Sequence, residues 1–443
     1  MNCKQRFLSH IAVLFLAWGS WPLSAGAEEV QYFPIFVFRT GPFAPSGIPA
    51  ANASRDFAAL INKRDGGING VNVVYEECET QYNTKLGIEC YEKLKGKGST
   101  GATIVNPAST GLTYQLIPKA AVDKIPLLTM GYGRAAAADG RVFKWVFNFP
   151  TTYWSQASAF VRYVGQESGG MEKLAGKKIA LVYHNSAYGK EPIPVLEALS
   201  EKYGYELQLI AVDHPGQEQK AAWLQVRRHK PDWVFLWGFG VMNQVAIKEA
   251  VANGFPMERM LGVWWSGTES DVVPAGDDAI GYKAGTFHAP GSDFPLFQDI
   301  VKYVYNGDVE EAKRNHWGEI LYNRGILNNV YGAEAVRTAM ARWGNKPMTG
   351  EQVRWGLENL NVGEERLAEL GLEGFARSLQ VTCEDHESGG SVIIQQWTGK
   401  QWKLITDWIE PMHDVVRPMI EKAAAAYAKE NNITPRDCSK ADA

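Results

Sequence analysis

Short apolar runs alternate with amphipathic stretches along this chain, and the alternation completes one series and then begins again. FPIFVF (33–38) precedes a helical stretch near 50–64, and VNVVYE (71–76) precedes another near 82–95. ATIVN (102–106) leads into a helical stretch near 110–123 and then into IPLLTM (125–130). Strands and helices in this order build a parallel sheet covered by helices on both faces. The series restarts at KIALVYH (178–184), with a helix near 188–204, and continues through ELQLIAV (206–212) and a helix near 217–229. WVFLW (233–237), a helix near 241–254 and RMLGVWW (259–265) close it. The predicted fold is α/β, with two doubly wound parallel-sheet lobes and a cleft between them. The hinge is expected near FNFPTTYW (147–154), where Pro150 interrupts the pattern.

Beyond residue 280 the pattern is mixed. GYKAGTF (281–287) reads as extended, 294–343 as largely helical, with Leu321, Val330, Ala333 and Met340 on its apolar face. SVIIQQW (391–397) and QWKLITDW (401–408) read as a hairpin across TGK. A last helix near 414–430 carries Val415, Met419, Ile420, Ala423 and Tyr427 at helical spacing and is expected to pack on the body as a strut.

The amino terminus reads as a secretory signal peptide over 1–27. Lys4 and Arg6 precede the apolar run 11–18, and Ala25-Gly26-Ala27 supplies the small-residue end. That run is shorter than the roughly 20 apolar residues a bilayer span needs. Cys3 lies before the run, where a lipid anchor is not attached, so a freely soluble periplasmic protein starting near Glu28 is expected. The exported chain of roughly 415 residues exceeds the size at which one core usually divides. Its composition, 21% charged with net charge −4, argues against nucleic acid or an anionic membrane surface as partner. Four cysteines remain after export: Cys78, Cys90, Cys383 and Cys438. An even number in an oxidising compartment predicts two disulfides, with three possible pairings. Cys78–Cys90, closing a short loop, and Cys383–Cys438, tying down the tail, are favoured.

Catalytic motifs are missing from the sequence. Gly96-Lys97-Gly98-Ser99-Thr100-Gly101 fits G-x-G-x-x-G, but it follows a helix and precedes a strand, the reverse of a dinucleotide site. Neither a P-loop, a G-x-S-x-G elbow nor an HExxH pair occurs, and no metal or cofactor is expected. The chemistry lies instead in the loops at the strand ends, where open parallel sheets place ligands. Arg39 and Phe43 follow the first strand, Asn106, Ser109 and Thr110 the third, and Gly131, Tyr132, Gly133 and Arg134 the fourth. In the second lobe come Tyr188, Phe239 and Trp264. Ser109 and Thr110 stand where a helix begins and offer hydroxyls and free N–H groups to an anionic head. Arg39 and Arg134 are candidates for pairing a carboxylate bidentately.

In order and spacing, FPIFVFRTGPFAPSG, GGINGVNVVYEE, IVNPASTG, LVYHNSAYGK and DWVFLWGFG make the chain resemble the periplasmic solute-binding proteins of the leucine/isoleucine/valine-binding type. The resemblance covers nearly the whole exported chain. It implies lobes joined by a three-crossover hinge, made of 28–149 plus about 284–388 and of 150–283 plus about 389–412, with 413–443 as a terminal helix and tail. It also implies that Ser109 and Thr110 bind a ligand carboxylate, that backbone at 131–133 contributes, and that Tyr188 and Phe239 supply aromatic walls. The acidic residue that pairs an amino acid's ammonium in that family falls here at Trp264, leaving Glu269 or Asp271 as substitutes. Trp264 is therefore expected to line the cleft beside Tyr188, Phe239 and Trp154, with Trp265 packed into the second lobe.

Together these features predict a non-enzymatic, monomeric receptor that captures a small carboxylate, aromatic or unsaturated before aliphatic amino acid. Its partners would be the solute and the inner-membrane permease of an ABC importer. A periplasmic sensor for a membrane receptor and an enzyme on a doubly wound fold are the alternatives.

Overall fold

The computed structural model describes residues 29–440, so the signal peptide expected over 1–27 lies outside the described residues. β1 (Gln31–Val37) pairs in parallel with β2 (Val73–Glu79). On its other side Ile35 bridges Asn106, Val105 bridges Leu127, and β3 (Leu127–Leu128) pairs in parallel with β4 (Val146–Phe147). The first lobe thus has the order β2, β1, the 105–106 segment, β3, β4. ATIVN contributes only these isolated bridges rather than a full strand.

The second lobe holds a seven-stranded sheet in the order β13-β12-β9-β8-β7-β5-β6. β5 (Lys178–His184), β6 (Glu206–Val212), β7 (Trp233–Trp237), β8 (Met260–Gly262) and β9 (Lys283–Thr286) run parallel. The hairpin β12 (Ile393–Trp397) and β13 (Trp402–Leu404) adds antiparallel to β9. A small antiparallel pair, β10 (Asn361–Val362) and β11 (Leu379–Gln380), lies apart from both sheets. β5 and β7 are fully or nearly fully buried, which is why they read as continuous apolar runs rather than alternating ones.

Local chemistry starts the helices. Asn83 caps Thr84–Leu94, Ser109 caps Thr110–Asp123 and Thr152 caps Tyr153–Glu167 through side-chain oxygens. The first helix, Ala44–Asp65, begins earlier than the expected residue 50, because Pro45 falls in its first turn, where a missing N–H costs nothing. The chain passes between the sheets at 148–152, 287–289 and 388–391. The first and third passages are bonded to each other: Thr151 Oγ1 donates to the Gly390 carbonyl (2.8 Å), and Asn148 and Phe149 N–H groups donate to the His386 carbonyl.

Both favoured disulfides are present, Cys78–Cys90 and Cys383–Cys438. The helix His413–Glu430 buries Val416, Ile420, Ala424 and Ala428. It packs against the 135–138 turn of the first lobe and against helices Tyr153–Glu167 and Ile193–Tyr203 of the second. Among the described residues no helix is long and apolar enough to cross a membrane.

Candidate functional site

β1 lies between β2 and the 105–106 segment, and β5 between β6 and β7, so each sheet reverses its strand order there. The loops that leave these reversal points face one another across the lobe boundary. Phe43 and Phe239 stack at 5.2 Å with their planes 14° apart. Tyr82 leans on Phe239 at 4.8 Å, and His184 and His214 meet the edge region of Phe43. Tyr153 and Tyr188 lie 5.4 Å apart, and the Tyr188 hydroxyl donates to the Gly238 carbonyl at 2.8 Å. Gly240, at φ +59°, must be glycine for the lobes to meet: a Cβ there would stand 2.6 Å from the Phe43 ring.

This aromatic packing occupies the seam. Ser109 Oγ accepts from the Leu112 N–H (3.4 Å) at the helix start, and Thr110 is buried. Phe43, Tyr188 and Phe239 are therefore brought together, and they close the boundary on each other.

The tryptophan pair sits deeper. β8 ends at Gly262, and the backbone turns at Val263 into a single 3-10 turn, Trp264–Ser266. Both indoles consequently lie on one side, stacked at 3.6 Å and 28°. Trp265 meets Phe239 and Tyr153 of the second lobe and Tyr132 of the first, and it lies beside Trp264 rather than on the opposite face because the strand ends at Gly262. Trp264 Nε1 donates to the Gly131 carbonyl (2.7 Å), and Trp265 Nε1 donates to the Tyr153 hydroxyl (2.9 Å). Gln156 Nε2 also donates to Gly131, at 2.9 Å.

Beneath the two indoles lies a cavity of about 80 Å³. At the 10–15 Å³ that one water needs, it has room for roughly half a dozen waters or a small organic molecule. Its apolar wall includes Ile35, Val37, Phe38, Met130 and Leu321, and its polar lining includes Asn106, Tyr132, Arg324 and Asn328. Of the expected ligand residues, Asn106, Tyr132 and Trp264 line it. Tyr132 donates to Asn106 Oδ1 and accepts from the Ala108 N–H (2.7 Å), which joins two strand-end loops.

Arg324 was not legible as a site residue. It lies on the helix Ile320–Trp343, three positions after Leu321, and its side chain is 4% exposed. Its guanidinium carbon stands 4.1 Å over the Trp264 ring and 4.3 Å over Phe287. Nη1 donates to the Trp264 carbonyl (3.2 Å) and Nη2 to Thr286 Oγ1 (3.1 Å), so neither bond reaches a carboxylate. Burial accordingly lowers its proton affinity, with Tyr153 and Glu269 opposing only in part. A cation on the apolar stripe of a helix is the signal that could have found it.

The remaining expected residues serve the frame. Arg39 forms an ion pair with Glu77 (2.6 Å) and donates to Asn52 Oδ1. Arg134 is held against the rings of Tyr427 (4.6 Å), Tyr114 and Phe143. Trp154 Nε1 donates to the Glu191 carbonyl (2.7 Å), and Gly133, at φ +89°, packs on Thr129. The Glu191 carboxyl crosses the boundary, accepting from the Tyr114 hydroxyl and the Ala135 N–H (3.2 Å); burial pushes it up to about 7. Glu269 accepts from the Ile320 N–H (2.9 Å), and Asp271 accepts from Asn243 and Thr268. Burial pushes these two carboxyls up to about 8 and about 7, so neither stands ready as a carboxylate for an ammonium group.

The sequence profile of the periplasmic binding protein family matches residues 32–401. A search of curated proteins returned no match. Among solved structures, the chain is similar to one described as an ABC transporter permease from the Pseudomonas fluorescens group, with 43% identity and a TM-score of 0.85, over 93% of this chain and 100% of that one. A branched-chain amino acid ABC transporter from Thermus thermophilus with bound valine shares the fold at 22% identity and TM-score 0.71, over 88% and 99%. A solute-binding protein of R. palustris in complex with benzoate shares it at 15% identity and TM-score 0.65, over 86% and 97%. The profile spans most of the chain and the topology agrees with it: the chain belongs to the periplasmic binding protein family.

Proposed function

We propose that this protein captures a small organic carboxylate, aromatic or unsaturated, where its lobes meet, and delivers it to the permease subunits of an ABC importer. It works in the periplasm after export, as a monomer, and alters no bond of its solute. The observation that carries this reading is the stacked Trp264–Trp265 pair, which spans the lobe boundary and lines the cavity beneath it. Flat aromatic walls favour a flat solute, by about 0.5–1.5 kcal/mol per ring pair beyond area burial. An amino acid is disfavoured, since Trp264 takes the place of the ammonium's acidic partner and Glu269 and Asp271 are spent elsewhere.

The experiment is mass spectrometry of the solute that co-purifies with the exported protein, then a thermal-shift panel of aromatic acids, branched-chain amino acids and betaines. A bound acid raises the apparent stability by about 2.7 kcal/mol at a hundred times its Kd. Tight leucine binding with no response to any aromatic or unsaturated acid overturns the substrate class.

A further inference from the structure

We infer that Arg324 and Asn328 form the acid-binding end of the cavity beneath the tryptophan pair, and that the solute is a small monocarboxylate held by its acid group there. The inference rests on the receptor function proposed above and assigns the charge-recognising residues away from the Ser109–Thr110 turn, which does not line this cavity.

The polarity of the cavity follows from a chain of hydrogen bonds that begins on the backbone. The Ala108 N–H donates to Asn106 Oδ1 (3.1 Å), which fixes that amide's orientation. Asn106 Nδ2 must then be the donor to Asn328 Oδ1 (3.3 Å), leaving the Asn328 amide to present its NH2 group. Asn328 Nδ2 is buried without a partner, and so is Arg324 Nε. The other polar groups of the lining are satisfied. Ser54 donates to the Ala50 carbonyl and accepts from Asn329, while Asn329 Oδ1 accepts from Tyr75. The unpartnered atoms of the lining are thus both donors, and one belongs to a buried cation that hydrogen-bonds to no carboxylate.

Buried unpaired donors cost free energy, and a buried charge costs more unless it is paired. An acceptor that carries one negative charge satisfies both requirements. A carboxylate fits, since its oxygens accept from Arg324 Nε–H and Asn328 Nδ2–H together. The remainder of the solute meets Ile35, Val37, Phe38, Met130 and the indoles, none of which pairs a second charge. The cavity therefore selects monoacids over diacids and over zwitterions.

The test uses calorimetric titration of the exported protein, unfolded and refolded to strip bound solute. Benzoate and crotonate are titrated beside their neutral mates benzamide and crotonamide, with leucine and glycine betaine as a separate arm. We expect at least one acid to bind ten times or more tighter than its amide. Arg324→Gln then weakens the acid at least tenfold while leaving the amide within threefold. Asn328→Asp, at a half-buried position, places a competing carboxylate beside Arg324 and weakens the acid by a similar factor, so the test survives if Arg324→Gln fails to fold. Equal affinity for acid and amide, or undiminished acid binding by Arg324→Gln or Asn328→Asp, overturns the inference. If leucine or betaine binds and neither acid does, the solute receptor stands and the Arg324 anchor falls. If nothing binds and nothing co-purifies, both fall.

Discussion

The indole N–H of Trp264 donates to the carbonyl oxygen of Gly131 at 2.7 Å, so a side chain of the second lobe is fastened to a loop of the first. The bond exists only while the lobes are together, and what Trp264 contributes is therefore charged to closure rather than to folding. Trp264→Phe keeps an aromatic face and removes one donor worth about 1 kcal/mol. Solute affinity should fall roughly fivefold by titration calorimetry, with the melting temperature of the empty protein unchanged. Trp264→Ala removes the indole's contacts with Phe287 and Arg324 of the first lobe as well as its bond to Gly131. Affinity should fall on the order of a hundredfold or more, and far more than stability does. Equal loss of both would assign the two indoles to the core.

Glu191 makes closure depend on pH. Its carboxyl is held up at about 7 by burial in the seam, against an ordinary value of 4.5 once the lobes part. The seam tolerates the protonated form, so closure is fully favoured below about 4.5 and weakens as pH climbs through about 7. Solute affinity should be greater at pH 5 than at pH 8 by up to nearly two orders of magnitude. Glu191→Gln should flatten this profile, measured by titration across the range.

Glu358 works in the opposite sense, and on stability. Burial pushes its carboxyl up, but hydrogen bonds from His386 and Arg436 and the charges of His386 and Arg354 outweigh it and hold it at about 2. The stabilisation is present above the ordinary value of 4.5 and is lost as pH falls toward about 2. Because Arg436 belongs to the carboxy-terminal tail, the tail should be freed first in acid. Glu358→Gln should cost about 3 kcal/mol in urea unfolding at pH 7 and expose the tail to proteolysis.

The disulfides should contribute unequally. Cys383–Cys438 joins residues 55 apart and Cys78–Cys90 residues 12 apart. The chain-entropy relation gives about 4 kcal/mol for the longer loop and about 3 for the shorter. Replacing each pair by serine and measuring denaturant unfolding should rank them in that order.

The lobes were legible because buried parallel strands leave unbroken apolar runs, as in WVFLW at β7, and the hairpin at 393–404 was legible from its turn. Helix starts were legible where a side chain caps them: Ser109 does begin Thr110–Asp123. Neither Ser109 nor Thr110 is among the residues that line the cavity beneath the tryptophan pair. The two indoles stack instead of pointing to opposite faces, because period-two alternation stops at Gly262, where the strand ends. Arg324 escaped because a single cation within a long helical stretch looks like surface until Trp264 and Phe287, distant in sequence, close over it.

The helix His413–Glu430 leans on both lobes, while Cys438 pins the chain beyond it to Cys383 of the first. A body tethered to one jaw and resting on the other limits how far the jaws swing. Such a stop should hold the empty protein within a short arc of its shut position and lessen the ordering lost at each capture. Removing the helix should enlarge the radius of gyration of the empty protein in solution scattering, with little change once solute is bound.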